Sequence, residues 1–282
     1  MEGLLWHIVL RLSASVQQAA WRGIYSDLDI LLVSLWAILH DRPACWACCA
    51  DNWPNQWRPA RLPNPSTLSR RLRKEGVEQL RDRLHQAAVA SFKIEDQVAI
   101  IDGKPLLVSD VSKDWDAKNG RGTRGMSRGY KLHCVMSPRG VVEAFEVQPL
   151  NVNERVPARR LCRKLPIKVR RVLGDGGYDS GPLHKCLGEI GIKLYTPILN
   201  RYAGPRSHRR RRVLLRLFYT KSWAGLKSLR DCVERPLGWM GNVGFGLKGL
   251  PNWVRRLPRV TRWVSGKILL YHAYLLRKQA AS

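Results

Sequence analysis

The sequence predicts a mixed α/β fold, one sheet flanked by helices, preceded by a small all-helical domain. Three observations predict it. Residues 98–101 (Val-Ala-Ile-Ile) are an apolar, largely β-branched run followed by Asp102, Gly103 and Lys104, the pattern of a strand buried on both faces with an acid where it ends. Beyond that run, strand-like and helix-like segments follow in the order three strands, helix, strand, helix, strand, which reads as a layered α/β arrangement. Before it, residues 1–93 carry apolar stripes at helical spacing. A chain of 282 residues, 45% hydrophobic, has enough apolar side chains for one large core or two smaller ones.

In the first 93 residues, Leu28, Leu31, Leu32, Leu35, Ile38 and Leu39 mark one helix face, and Leu80, Leu84, Ala87 and Ala88 another. A Trp- and Pro-rich connection, 53–65, lies between them. Residues 65–74 then form a short basic helix, with Asn64 or Ser66 as its cap and Leu68 and Leu72 inward. Its outer face carries Ser66, Thr67, Ser69, Arg70, Arg71 and Arg73, the hydroxyls and guanidiniums of a helix-turn-helix recognition helix. A solvated basic face is the plainer reading, and the net charge of +27 favours DNA contact over it.

From residue 94 the elements serve a cleft. Gly103 allows a tight exit, so that Asp102 projects into it. The Gly-rich stretch 110–129, with Lys113, Lys118, Arg121, Arg124 and Arg128, reads as a mobile segment that contacts phosphates. Residues 130–136 and 141–147 form a hairpin around Ser137-Pro138-Arg139-Gly140. A helix over 154–165 follows, capped by Asn153, with Pro157 in its first turn. Residues 171–173 are a short strand running into a second acid, Asp175, framed by glycines; a helix over 181–190 and a strand over 193–197 complete the series. Asp179, four residues on, is the reserve for Asp175. A helix over 266–278 packs back on this domain, with Leu269, Leu270, Ala273 and Leu276 inward.

Charge separates the chain further. Eight basic residues balance eight acids in 94–150, whereas 201–282 holds 19 basic residues against two acids, Asp231 and Glu234. A pI near 10.6 points to a polyanion, and double-stranded DNA is the expected partner. The longest apolar runs, such as 28–39, fall short of the ~20 residues of a membrane span, and the first 12 residues show no basic leader or cleavage site. A cytoplasmic protein is expected. Seven scattered cysteines fit reduced thiols; His40, Cys45, Cys48 and Cys49 match structural zinc spacing poorly.

Asp102, Asp175 and Glu234, 73 and 59 residues apart, form a set of three carboxylates beside a polyanion track. Two acids from strands and one from a later helix, converging on two Mg²⁺ ions, would serve phosphoryl transfer without a protein nucleophile. Mg²⁺ suits such hard oxygen ligands, with Mn²⁺ as its substitute. Arg230 lies one helical turn before Glu234, on the same face of a helix over 223–240 interrupted at Pro236.

With these pieces the chain resembles the DDE transposases of bacterial insertion sequences. The resemblance rests on Ile101-Asp102-Gly103, Gly129-Tyr130-Lys131-Leu132-His133, Gly174-Asp175-Gly176-Gly177-Tyr178-Asp179-Ser180, and Arg230 with Glu234, over roughly residues 95–275. Within that family it looks closest to the insertion-sequence-four group, whose helix signature runs Tyr, two residues, Arg, three residues, Glu, six residues, Lys. Lys227 stands at the Tyr position and Gly241 at the Lys position, with Lys248 the next cation. The resemblance implies an RNase H-like core over 94–282, containing a basic insertion or loop at about 201–222. It implies Asp102, Asp175 and Glu234 as catalytic metal ligands, and Arg230, Lys131 and Lys248 as DNA contacts. The implied reaction is cleavage at transposon ends, then attack of the freed 3′-hydroxyl on target DNA, by a homodimer on the DNA. A noncatalytic DNA-binding regulator, a decayed transposase and a cellular RNase H-like nuclease are the alternatives.

Overall fold

The computed structural model describes residues 2–16, 23–109, 111–122, 125–197, 224–225, 228, 237–238, 240–241, 246–247 and 249–281. They form two compact units: Met1–Lys93 with Asn242–Val254 and Pro258–Ser282, and Ile94–Gly241 with Arg255–Leu257.

The first unit is helical: α1 (Glu2–Ala14), α2 (Asp27–Leu39), α3 (Pro65–Arg71), α4 (Glu75–Ala90) and α7 (Leu257–Ala281). Helix α2 starts where the sequence offers a full capping box: Ser26 accepts from the Asp29 N–H, and Asp29 returns the bond to the Ser26 N–H. The Trp-rich connection is part of the core. Trp36 stacks on Trp53 at 4.7 Å and meets Trp6 edge-on at 5.0 Å, and the two stacked indoles donate to the carbonyls of Asn52 and Ala47.

Helix α7 corrects an expectation. It is longer than the amphipathic stripe, and it groups with α2 and α4 in this unit, not with the sheet. Its middle, 263–273, is buried all round, which is why Lys267 needs Asp41 at 2.6 Å; half-buried Arg262, just before it, reaches toward Glu78 at 3.7 Å. Gly266 lets it close on α2, since a Cβ there would stand 2.6 Å from Ile38 Cδ1.

The second unit is the RNase H-like mixed sheet flanked by helices. Its strands are β1 (Val98–Leu107), β2 (Lys118–Gly122), β3 (Gly125–Met136), β4 (Val142–Pro149), β5 (Arg171–Leu173) and β6 (Lys193–Tyr195). Their order is β2-β3-β1-β5-β6, with β4 also on β3; the pairs among β1 to β4 are antiparallel, and β5 and β6 add in parallel. Helices α5 (Arg155–Cys162) and α6 (Gly181–Glu189) cover the face of Ala99, Ile101, Val135 and Val172.

Two expectations are corrected here. Strand β1 does not stop at Asp102: it stays paired with β3 from Ile100↔Met136 to Leu107↔Gly129, so Asp102 is mid-strand and Gly103 makes no exit turn. Pairing with β5 ends at Ile100↔Leu173, so β1 then runs like an edge strand, which tolerates Pro105. Nor is the stretch 110–129 one Gly-rich loop. It contains β2 and the start of β3, and Arg128 is spent on the carbonyls of Ser112, Asp114 and Ala117. Asp114, fully buried, accepts from the Tyr130 hydroxyl at 2.8 Å and the Arg256 N–H at 3.0 Å.

His133 sits buried on β3 opposite Gly103, where desolvation first and then Lys131 lower its pKa to about 4. An unfolded histidine protonates near 6.5, so His133 contributes stability that is full above pH 6.5 and is lost as pH falls toward 4, up to roughly 3 kcal/mol. Urea melts at pH 7 and pH 5 should show this loss in wild type and a smaller one in His133→Asn.

Candidate active site

Asp102 and Asp175 come from neighbouring parallel strands, and each lies two residues past the last register pair, Ile100↔Leu173. The two acids thus follow the last β1–β5 pair at equal offsets, where β5 ends beside β1, and both are half-buried. Asp102 Oδ1 accepts from the Gly103 N–H at 2.7 Å. Asp175 caps the short helical turn Gly176–Tyr178, its Oδ1 taking the Gly177 N–H at 2.9 Å. The glycines after Asp175 make this turn possible in a tight space: a Cβ on Gly177 would stand 2.5 Å from Glu154 Oε2 and 3.1 Å from Asp175 Oδ1.

Glu154, read from the sequence only as the start of a helix, is therefore next to Asp175. It precedes α5, and its Oε1 forms a short ion pair with Lys131 Nζ. Its only advance signal was an acid at the head of a helix in a stretch, 151–200, where ten basic residues face four acids. Lys131 points to the α5 side of the sheet, with Gly103 beneath it: a Cβ at 103 would lie 2.5 Å from its Cε. On the other face, two residues along from Asp102, half-buried Lys104 donates to the Leu237 carbonyl at 3.3 Å, and burial lowers its pKa. The chain three residues beyond Glu234 is thereby brought to the strand that carries Asp102.

A cavity of about 700 Å³ opens over the α5 side of this centre. Asp175, Gly177, Glu154 and Lys131 form one end of its lining, and Arg121 and Arg155 add guanidiniums. Acids at one end and cations around them can hold a cation and a phosphate together. Tyr178 lies behind the turn, fully buried; burial first, then the charges of Glu154, Asp102 and Asp175, raise its pKa well above the ordinary phenol value.

Asp179, the reserve acid, is buried with its carboxylate 3.7 Å from His184 Nε2, and its carbonyl accepts from Arg155. Glu234, Arg230 and Lys248 lie outside the described residues, as do Lys227 and the basic stretch 201–222. Among the described residues no group of three His, Cys, Asp or Glu side chains stands ready to hold a metal ion.

In the helical unit, Asn64 caps α3 by accepting from the Thr67 N–H at 2.8 Å. Ser66, Ser69, Arg70 and Arg73 are exposed and Thr67 is half-buried. Arg71 is turned inward, donating to Asp27 at 2.7 Å and to the Tyr25 carbonyl at 3.1 Å. Among the described residues no helix is long and apolar enough to cross a membrane.

A family model described as the transposase DDE domain matches residues 93–271. No curated protein and no solved structure matches the chain.

Proposed function

Because the chain belongs to the DDE-domain transposases, whose match spans more than half of it, we propose that it cuts DNA at the ends of its own mobile element and joins the freed ends to target DNA. The observation that carries this reading is the register-equivalent placement of Asp102 and Asp175 on neighbouring strands of an RNase H-like sheet. Asp102, Asp175 and Glu234 offer hard carboxylate oxygens alone, a donor set that fits Mg²⁺, with Mn²⁺ as substitute. Held by these carboxylates, such an ion would supply Lewis-acid chemistry, lowering the pKa of water and offsetting charge on the phosphoryl oxygens.

The protein's own groups do the rest. The Gly177 N–H orients the Asp175 carboxylate. Arg121 and Arg155, lining the cavity, offset phosphate charge beside it. Arg230, Lys131 and Lys248 contact the transposon-end backbone, and Ser66, Thr67, Ser69, Arg70 and Arg73 bring the outer side of α3 to the duplex. Arg71 supports α3 through Asp27. The Arg230–Glu234 spacing places the chain nearest the insertion-sequence-four group, and two copies pair the two ends as a dimer.

Excision from a plasmid carrying the gene's own genomic flanks, in Mg²⁺, tests the reading. Precise loss of the segment with wild type and none with Glu234→Gln is expected. Flank DNA retarded equally by both proteins, with excision by neither, would turn the reading to a DNA-binding descendant without catalysis.

A further inference from the structure

The ion pair between Glu154 and Lys131 stands inside the acidic end of the cavity. Glu154 Oε2 and Asp175 Oδ1 both border the space over Gly177, at 2.5 and 3.1 Å from one shared point. Two carboxylates that close repel unless a cation lies between or beside them. Here that cation is the Lys131 ammonium, 14% exposed and held by Glu154 Oε1. A second observation comes from the same turn. The Tyr178 hydroxyl is fully buried with no hydrogen-bond partner among the described residues, and Glu154 is foremost among the charges acting on it, ahead of Asp102 and Asp175. An unpaired buried hydroxyl is costly, and a carboxylate or ordered water rearranged around a bound ion would satisfy it.

We propose that Glu154 is a further cation-binding carboxylate of the Asp175 site, and that it exchanges the Lys131 ammonium for a divalent cation when one binds. This rests on the reading of Asp175 as a metal ligand. The exchange means that one Glu154 oxygen is occupied from within until a cation binds. It also gives Lys131 two states. Paired with Glu154, its charge is cancelled; released, the same ammonium faces the cavity beside Arg121 and Arg155, where a phosphate would receive it. Binding of the cation thereby prepares the grip on DNA.

The test is a titration of the full-length protein with Mn²⁺, the free ion followed by its electron paramagnetic resonance signal. Glu154→Gln, nearly isosteric, should weaken Mn²⁺ binding about tenfold. Lys131→Met should tighten it by about threefold or more, because a competing cation is gone. Unchanged affinity in Glu154→Gln, or unchanged or weaker affinity in Lys131→Met, overturns the exchange. Tightening by Lys131→Met cannot come from misfolding. Asp175→Asn separates the two levels: wild-type affinity in that variant, or no Mn²⁺ binding by wild type at all, overturns the underlying reading of the site instead.

Discussion

Asp175→Asn will retain flank DNA as wild type does and lose strand cleavage by about 10³-fold or more. The substitution keeps the shape of the turn, since an amide oxygen can still accept the Gly177 N–H that Asp175 Oδ1 takes at 2.9 Å. What it removes is the negative charge. A bound metal stabilises the transition state by several kcal/mol, and each 1.36 kcal/mol is tenfold in rate, so losing one of the three proposed anionic ligands should cost orders of magnitude. Retention should survive because it draws on charge elsewhere: 19 basic residues against two acids in 201–282, and the exposed arginines of α3. One gel reports both, with retarded and cleaved products of a labelled flank resolved together. Cleavage within tenfold of wild type would remove Asp175 from the site.

The second large effect is structural. Gly129→Ala should destabilise the sheet unit by about 3 kcal/mol, enough to lower its melting temperature by roughly 10 °C. Gly129 is where three strands meet, paired with Leu107 of β1 on one side and Lys118 of β2 on the other. An added Cβ would press on the Leu106 carbonyl and stand 2.9 Å from Leu107 Cα. These are backbone atoms of a paired strand, so neither can swing aside as a side-chain tip would. Calorimetry of the variant reads the loss; a melt within 2 °C of wild type would show that β1 and β3 separate more easily there than their pairing implies.

How far the sequence reveals this fold follows from what each segment's chemistry encodes. The hairpin of β3 and β4 and the run 98–101 were legible because apolar β-branched residues report burial directly. The second half of β1, Gly-Lys-Pro-Leu-Leu, and all of β2, Lys-Asn-Gly-Arg-Gly, were not. They have little strand propensity and are strands because β3 pairs with them, a tertiary cause that local composition does not record. Asp102 and Asp175 were legible as acids beside apolar runs, and β1–β5 pairing puts each two residues past its last pair. Glu154 was not, because its nearness to Asp175 is made by the turn at Gly177, 23 residues away in sequence. Periodicity shows that α3 has an outer face, but Arg71 shares the composition of Arg70 and differs only in meeting Asp27. For α7, likewise, an apolar stripe announces burial without naming the partner.

That partner matters to how the protein is made. The helices of residues 1–93 complete their core with α7, which begins at Leu257, so their apolar faces leave the ribosome long before the helix that covers them. At about 5–20 residues per second, the 163 residues between Lys93 and Leu257 take roughly 10 to 30 s to synthesise. During that interval the sheet unit can fold while the helical body waits. A product cut short before residue 257 would carry α3 without the helix that finishes its body. Synthesis through α7 is thus a condition for a finished helical unit.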